Sequence, residues 1–233
     1  MRLKQTRILL CLVLVAFFVV PSIQVQAKQD DIELVIIETV VVDNKAVQVY
    51  AIPPVDNSST NPYYELLGFH WYSTISYYVN PSNSYGFSTS GVISVITLSA
   101  NTWDTETSYQ VFSYQGTTTR KAGRYDGRNV VSFSAYKNAN AIAVTFIWYI
   151  GTRIIETDCI MNTMFTWSLR GEAGKMDVQN IMTHEFGHWC GLADLYSDVD
   201  YWLTMYGYGD YGETYKRTLG LGDINGLQKV YGP

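Results

Sequence analysis

Apolar and polar positions divide the chain into an opening apolar run, a β-type stretch, a helical segment, several strands and a second helical segment. Ile8 to Val20 is continuously apolar, follows Arg2, Lys4 and Arg7, and is broken at Pro21. Val25-Gln26-Ala27 then offers small residues for cleavage, so residues 1–27 read as a secretory signal peptide, short for a membrane span. An uncleaved anchor is the alternative; Cys11 lies inside the apolar run, which argues against a lipoprotein signal. Leu34 to Val42 is β-like, and the Pro/Asn/Ser-rich stretch from Ala51 to Tyr63 reads as a linker. Trp71 to Val79 alternates and is rich in β-branched and aromatic residues, which predicts a strand. Val92, Val95, Ile96, Ala100 and Trp103 share one side of a helix capped by Ser88 or Ser90. Tyr109–Tyr114 and Asn129–Ser134 follow as short strands. Ala141–Tyr149 and Arg153–Asn162 flank Ile150-Gly151-Thr152 as a hairpin-like pair. Asp177 is placed to cap a second helix, with Val178, Met182, Phe186 and Trp189 within about 80° of its circumference. That side is expected to anchor the helix in the core.

The pattern gives three parts: residues 1–27, an N-terminal extension or propeptide over 28–69, and one α+β domain over 70–233. Charge narrows the partners. Removing Arg2, Lys4 and Arg7 from 16 basic residues leaves 13 against 21 acidic ones, a net charge of −8. No basic patch emerges, so nucleic acid and anionic membrane are not expected partners. After signal cleavage the chain is expected to be a secreted monomer with no stable membrane insertion. Outside the signal only Cys159 and Cys190 remain. A secreted pair invites a disulfide tying a strand to the second helix, and two buried thiols are the other reading.

The chemistry is concentrated in His184-Glu185-Phe186-Gly187-His188-Trp189-Cys190-Gly191-Leu192-Ala193-Asp194. Residues four apart lie on one helix face, so His184 and His188 can grip one ion. Glu185 sits about 100° around the helix from His184, beside the ligands, where a general base for a metal-bound water belongs. Gly191 lets the backbone leave the helix, and the chain returns Asp194 as third ligand. Three protein ligands leave a fourth position open, the pattern of a hydrolytic zinc site.

The same window resembles the metzincin peptidases, whose motif is H-E-x-x-H-x-x-G-x-x-H followed by a Met-turn. Asp194 stands in the last place, as in snapalysin-type members, and Thr204-Met205-Tyr206-Gly207 matches the Met-turn. Gly222 to Gly232 resembles the closing helix of matrixins, and the element order from His70 onward is also similar. The resemblance implies a twisted mixed sheet with an antiparallel edge strand, about three helices, and a cleft holding the zinc helix. It implies a Zn2+ endopeptidase acting on proteins or peptides, with His184, His188 and Asp194 as ligands and Glu185 as catalytic base. It casts Ile155–Asn162 as the edge strand that pairs with substrate; the alternative is a strand inside the sheet. Asp158 is then a sheet-edge gatekeeper. Met205 is implied as an apolar floor beneath the ligands, and Tyr206 and Tyr208 as pocket wall, Tyr206 alternatively at the oxyanion.

Matrixins often hold structural Ca2+, for which Asp198, Asp200 and Asp210 offer carboxylates; solvated loop acids are the plainer reading. His70 stands alone and reads as a packed or surface residue. No Cys lies between Ala27 and Cys159, so a cysteine switch is excluded and any latency needs another device, Asp56 being one of several carboxylates. Two further functions fit the motif: a secreted binding module with zinc as a staple, and a zinc amidase acting on non-protein material.

Overall fold

The computed structural model describes residues 31–41 and 62–233. The signal peptide, nearly all of the linker and Asp56 lie outside the described residues. Strands β1 (Glu33–Val41), β2 (Ile75–Asn80), β3 (Phe112–Thr117), β4 (Asn129–Ser134), β5 (Ala141–Ile150) and β6 (Arg153–Asn162) carry most of the sheet. The short β9 (Tyr208–Gly209) adds to it, β7 (Trp167–Ser168) and β8 (Met176–Asp177) pair with each other in a separate two-stranded sheet, and the helices are α1 (Thr89–Asp104), α2 (Val178–Trp189) and α3 (Leu221–Tyr231). The class is α+β, as the pattern predicts. Ser88 caps α1, accepting from the Gly91 N–H at 3.1 Å. β3 starts at residue 112, later than alternation alone suggests. The Val111 and Phe112 N–H groups first go to Asp104 Oδ1 at the end of α1, at 2.7 and 3.1 Å.

One seven-stranded mixed sheet runs β3-β2-β4-β6-β5-β1-β9, with β5 antiparallel to both β6 and β1. Helices α1 and α2 pack against each other over a core that includes Tyr77, Ile96, Trp103, Val131, Met161 and Phe186. A smaller cluster, with Val130, Val144, Phe146 and Ile160, forms separately. Among the described residues no helix is long and apolar enough to cross a membrane.

Two expectations are corrected. Ile155–Asn162 is not an edge: β6 lies inside the sheet, parallel to β4 on one side and antiparallel to β5 on the other. Asp158 is therefore no gatekeeper but a buried anchor. It accepts from the Gly123, Arg124 and Val130 N–H groups at 2.6, 3.1 and 2.7 Å. Glu156 accepts from Asp126 and Gly127 at 2.7 and 2.6 Å, so two carboxylates pin the loop before β4. Burial raises the Asp158 carboxyl to about 7 against the pull of its three donors.

The disulfide is the second correction. Cys159 and Cys190 are both free and buried. Cys159 Sγ lies 3.7 Å from Met182 Sδ. Met182 precedes Cys190 by eight residues, about 12 Å along α2, so the thiols meet the helix at different heights. Burial pushes both thiols well up.

Asp158→Ala should leave three backbone donors without their acceptor, the Val130 N–H of them buried, and lower stability by about 3 kcal/mol. Urea denaturation measures it; a loss below about 1 kcal/mol contradicts the anchoring role.

Candidate metal centre

Helix α2 runs through the core with every residue but Gln179 buried. Its cap is Asp177, which accepts from the Asn180 N–H at 2.9 Å and is gripped by Arg217 through Nε and Nη2 at 2.8 and 2.6 Å. Phe186 and Trp189 pack against each other and Tyr77, as core residues. This seating turns His184 and His188 together, with their Nε2 atoms 3.1 Å apart.

Gly191 then takes φ +95°, and a Cβ there would stand 2.9 Å from the Phe69 carbonyl oxygen. Glycine is needed both for the turn and for the close passage of the neighbouring segment. Leu67 donates to the Gly191 carbonyl and Ala193 to that of Glu65, each at 2.9 Å. The chain comes back with Asp194, whose Oδ1 lies 3.2 Å from His184 Nε2 and 3.5 Å from His188 Nε2.

These distances test the fit for a metal. Tetrahedral bonds of about 2.0–2.1 Å place ligand atoms about 3.3 Å apart. The three edges here are 3.1, 3.2 and 3.5 Å. The protonation pattern agrees. His184 Nδ1–H donates to the Thr204 carbonyl at 2.7 Å and His188 Nδ1–H to that of Leu192 at 2.9 Å. Each Nε2 is thereby left with a lone pair, the state a metal ligand needs. Asp194 Oδ1 is buried without a hydrogen-bond partner. Three electron-rich atoms facing one another in a buried place need a cation. In the metal-free chain a proton on His188 serves. Burial lowers its pKa, but Asp194, Glu185 and the Leu192 carbonyl lift it to about 9. Burial raises the Asp194 carboxyl, yet the two histidines hold it far below the usual range.

Among the described residues no other His, Cys, Asp or Glu group has such spacing. Asp198, Asp200 and Asp210 form no such cluster. His70 packs its ring against Tyr72 and Tyr231, at 4.3 and 6.4 Å.

Glu185 is buried outside the ligand group. Its Oε1 accepts from Thr39 Oγ1 at 2.7 Å and its Oε2 from Thr145 Oγ1 at 2.6 Å. Met205 lies against α2: a Cβ on Gly187 would stand 2.2 Å from its Sδ, so only glycine admits this packing. Tyr206 is buried among Tyr201, Tyr208 and Lys216. Tyr208 pairs through its backbone with Val40. A cavity of about 680 Å³ lies nearby, lined by Tyr201, Trp202, Tyr211, Tyr215 and Arg217 among others. It contains none of the ligands and neither Tyr206 nor Tyr208.

Three supporting residues escape sequence reasoning. Asp223 of α3 accepts from Thr204, Met205 and Gly220 N–H groups at 2.8, 3.0 and 2.8 Å. It thereby fixes the turn whose Thr204 carbonyl orients His184. Tyr196 donates to Asp194 Oδ2 at 3.1 Å. Thr39, far away in sequence, reaches Glu185. Only Asp223 has a local signal, an acid three residues after Gly220 at a helix start.

If the group holds a metal, Asp194→Ala should weaken binding of added Zn2+ at least about 100-fold, and Asp223→Ala about 10- to 100-fold with all three candidate ligands intact. Titration calorimetry reads both, and unchanged binding in either variant contradicts the assigned role. A metal ion entering this group would have to displace the His188 proton, so metal affinity should fall as pH drops below about 9. A flat profile between pH 6 and 9 contradicts that competition. No protein-family model matches the chain, and no curated protein matches it significantly.

Proposed function

We propose that the chain is a secreted, zinc-dependent endopeptidase of metzincin type, hydrolysing peptide bonds with Glu185 as general base. The carrying observation is the convergence of His184 Nε2, His188 Nε2 and Asp194 Oδ1 within 3.1–3.5 Å, with both imidazoles oriented by carbonyls. That spacing matches tetrahedral zinc, which when bound supplies a Lewis acid for the scissile carbonyl and lowers the pKa of water. Glu185 follows His184 directly and lies outside the ligand set, free of any Lys or Arg ion pair in the described residues. It takes the proton of the attacking water and returns it to the leaving amine. Thr145 holds one carboxylate oxygen and so fixes the direction in which the base faces. Met205, packed under α2 at Gly187, keeps the ligand helix at its height. The apolar run after Arg2, Lys4 and Arg7 supports export.

A second reading has its own support. Both Glu185 oxygens are occupied by hydroxyls and the side chain is fully buried, as suits a zinc-stapled binding module. Cleavage separates the two.

Wild type and Glu185→Gln should each bind one zinc ion, while only wild type cleaves an unfolded protein, by at least about 100-fold in rate. Rates are compared with the 42–61 segment intact and cut. Equal rates in both states sink the peptidase reading.

A further inference from the structure

Strand β1 has the sequence of a core strand and the exposure of a loosely laid one. Its nine residues, Glu-Leu-Val-Ile-Ile-Glu-Thr-Val-Val, are mostly apolar and β-branched. Yet only Thr39 is buried, while Leu34 and Ile36 are 47% and 44% exposed. Strands β4, β5 and β6 bury most or all of their residues. Leu34 and Ile36 therefore contribute little to holding β1, whose apolar contact is confined to partly buried positions such as Val41.

Its bonds are mainly those that any extended peptide could make. β1 runs antiparallel to β5 from Glu33 opposite Tyr149 to Val40 opposite Ala141. On its other side it meets only β9, parallel, through Val40 and Val41. Without β1 the β5 backbone is an open edge facing β9, the geometry of strand addition. Side chains add polar contacts at the C-terminal half. Tyr136 and Asn138 donate to Glu38 at 2.7 and 2.6 Å on one face. On the other face Thr39 donates to Glu185 at 2.7 Å. The alternation of a strand puts Glu38 and Thr39 on opposite faces, so one dipeptide fastens to the outside and to the candidate base at once.

We propose that Glu33–Val41 is a displaceable internal occupant of a peptide groove between β5 and β9, and that it silences Glu185 through Thr39. The proposal rests on the peptidase reading for its consequence, but the groove itself does not need zinc. The partner class is an extended peptide with alternating apolar positions and a small β-branched or hydroxyl side chain opposite Ala143, where Thr39 sits. An incoming peptide of that kind finds the same β5 amides and carbonyls, while departure of Thr39 returns one Glu185 oxygen to water. Residues 42–61 link the occupant to Asn61 and the domain beyond. A cut there converts an intramolecular ligand into a dissociable one and removes its effective concentration.

The test uses the full chain with a site-specific protease sequence inserted after Asn57, folded intact and then cut. A fluorescent synthetic peptide of residues 31–42 is added and followed by anisotropy, with and without zinc. Expected is binding to the cut protein and none to the intact one. The Thr39→Val peptide, equal in shape but without the hydroxyl, should bind about tenfold more weakly, because a hydrogen bond to a charged acceptor is lost. Cleavage of an unfolded protein should rise at least tenfold on cutting and dilution, and fall again when the 31–42 peptide is restored. Failure of the labelled peptide to enter the cut protein overturns the proposal, since β1 is then a permanent strand. Equal binding of the Thr39→Val peptide overturns the role of Thr39. Peptide exchange without any cleavage upholds the groove and overturns only the peptidase reading.

Discussion

Two imidazole nitrogens and a carboxylate oxygen, all three atoms buried, face one another within 3.5 Å. Such a group, drawn out of solvent, is costly unless it shares a proton or could hold a cation, so the surrounding chain must hold it together. Much of the C-terminal half serves that constraint. α2 is buried almost all round, which forbids it to rotate the histidines outward. Thr204 and Leu192 carbonyls take the two Nδ1 protons and fix the ring planes. Asp223, itself buried and raised by that burial against its backbone donors, locks the Thr204–Met205 turn from α3.

Buried carboxylates recur as fasteners between distant segments. Asp177 joins the start of α2 to Arg217, Asp158 and Glu156 gather the loop before β4, and Asp104 fixes the approach to β3. Each receives backbone N–H groups or an arginine, which is what makes burying the charge tolerable. A chain with sparse charge thus spends several acids inside. The loops so tied have no regular structure of their own, and the carboxylates substitute for it.

β1 follows a different logic. Its pairing is largely main chain, Leu34 and Ile36 face outward, and its single fully buried side chain touches Glu185. Main-chain pairing is indifferent to sequence, so a segment held this way is the easiest part of the sheet to exchange.

Local physics made much of this legible beforehand. The period of apolar residues located α1, α2 and the strands from Asn129 to Asn162, and the four-residue spacing of His184 and His188 already implied one shared face. Asp177 announced itself as a cap, and the pair Ser88 or Ser90 as another of which the structure uses Ser88, because capping is a contact over three residues. Gly191 did so because a left-handed turn requires a missing Cβ. What failed was everything that depends on who lies beside whom. β6 was expected at an edge and lies inside, because its neighbours β4 and β5 come from separate stretches and alternation does not encode sheet order. Cys159 and Cys190 were expected to meet, but helix height keeps them apart. Thr39 and Tyr196 carry no motif, and Asp223 carries only that of a helix start, since a hydroxyl or carboxylate becomes a partner only where folding delivers it. Spacing within one helix determined that His184, His188 and a following acid could form a site; only the tertiary structure decided what orients them and what covers Glu185, because those contacts join residues up to 146 positions apart.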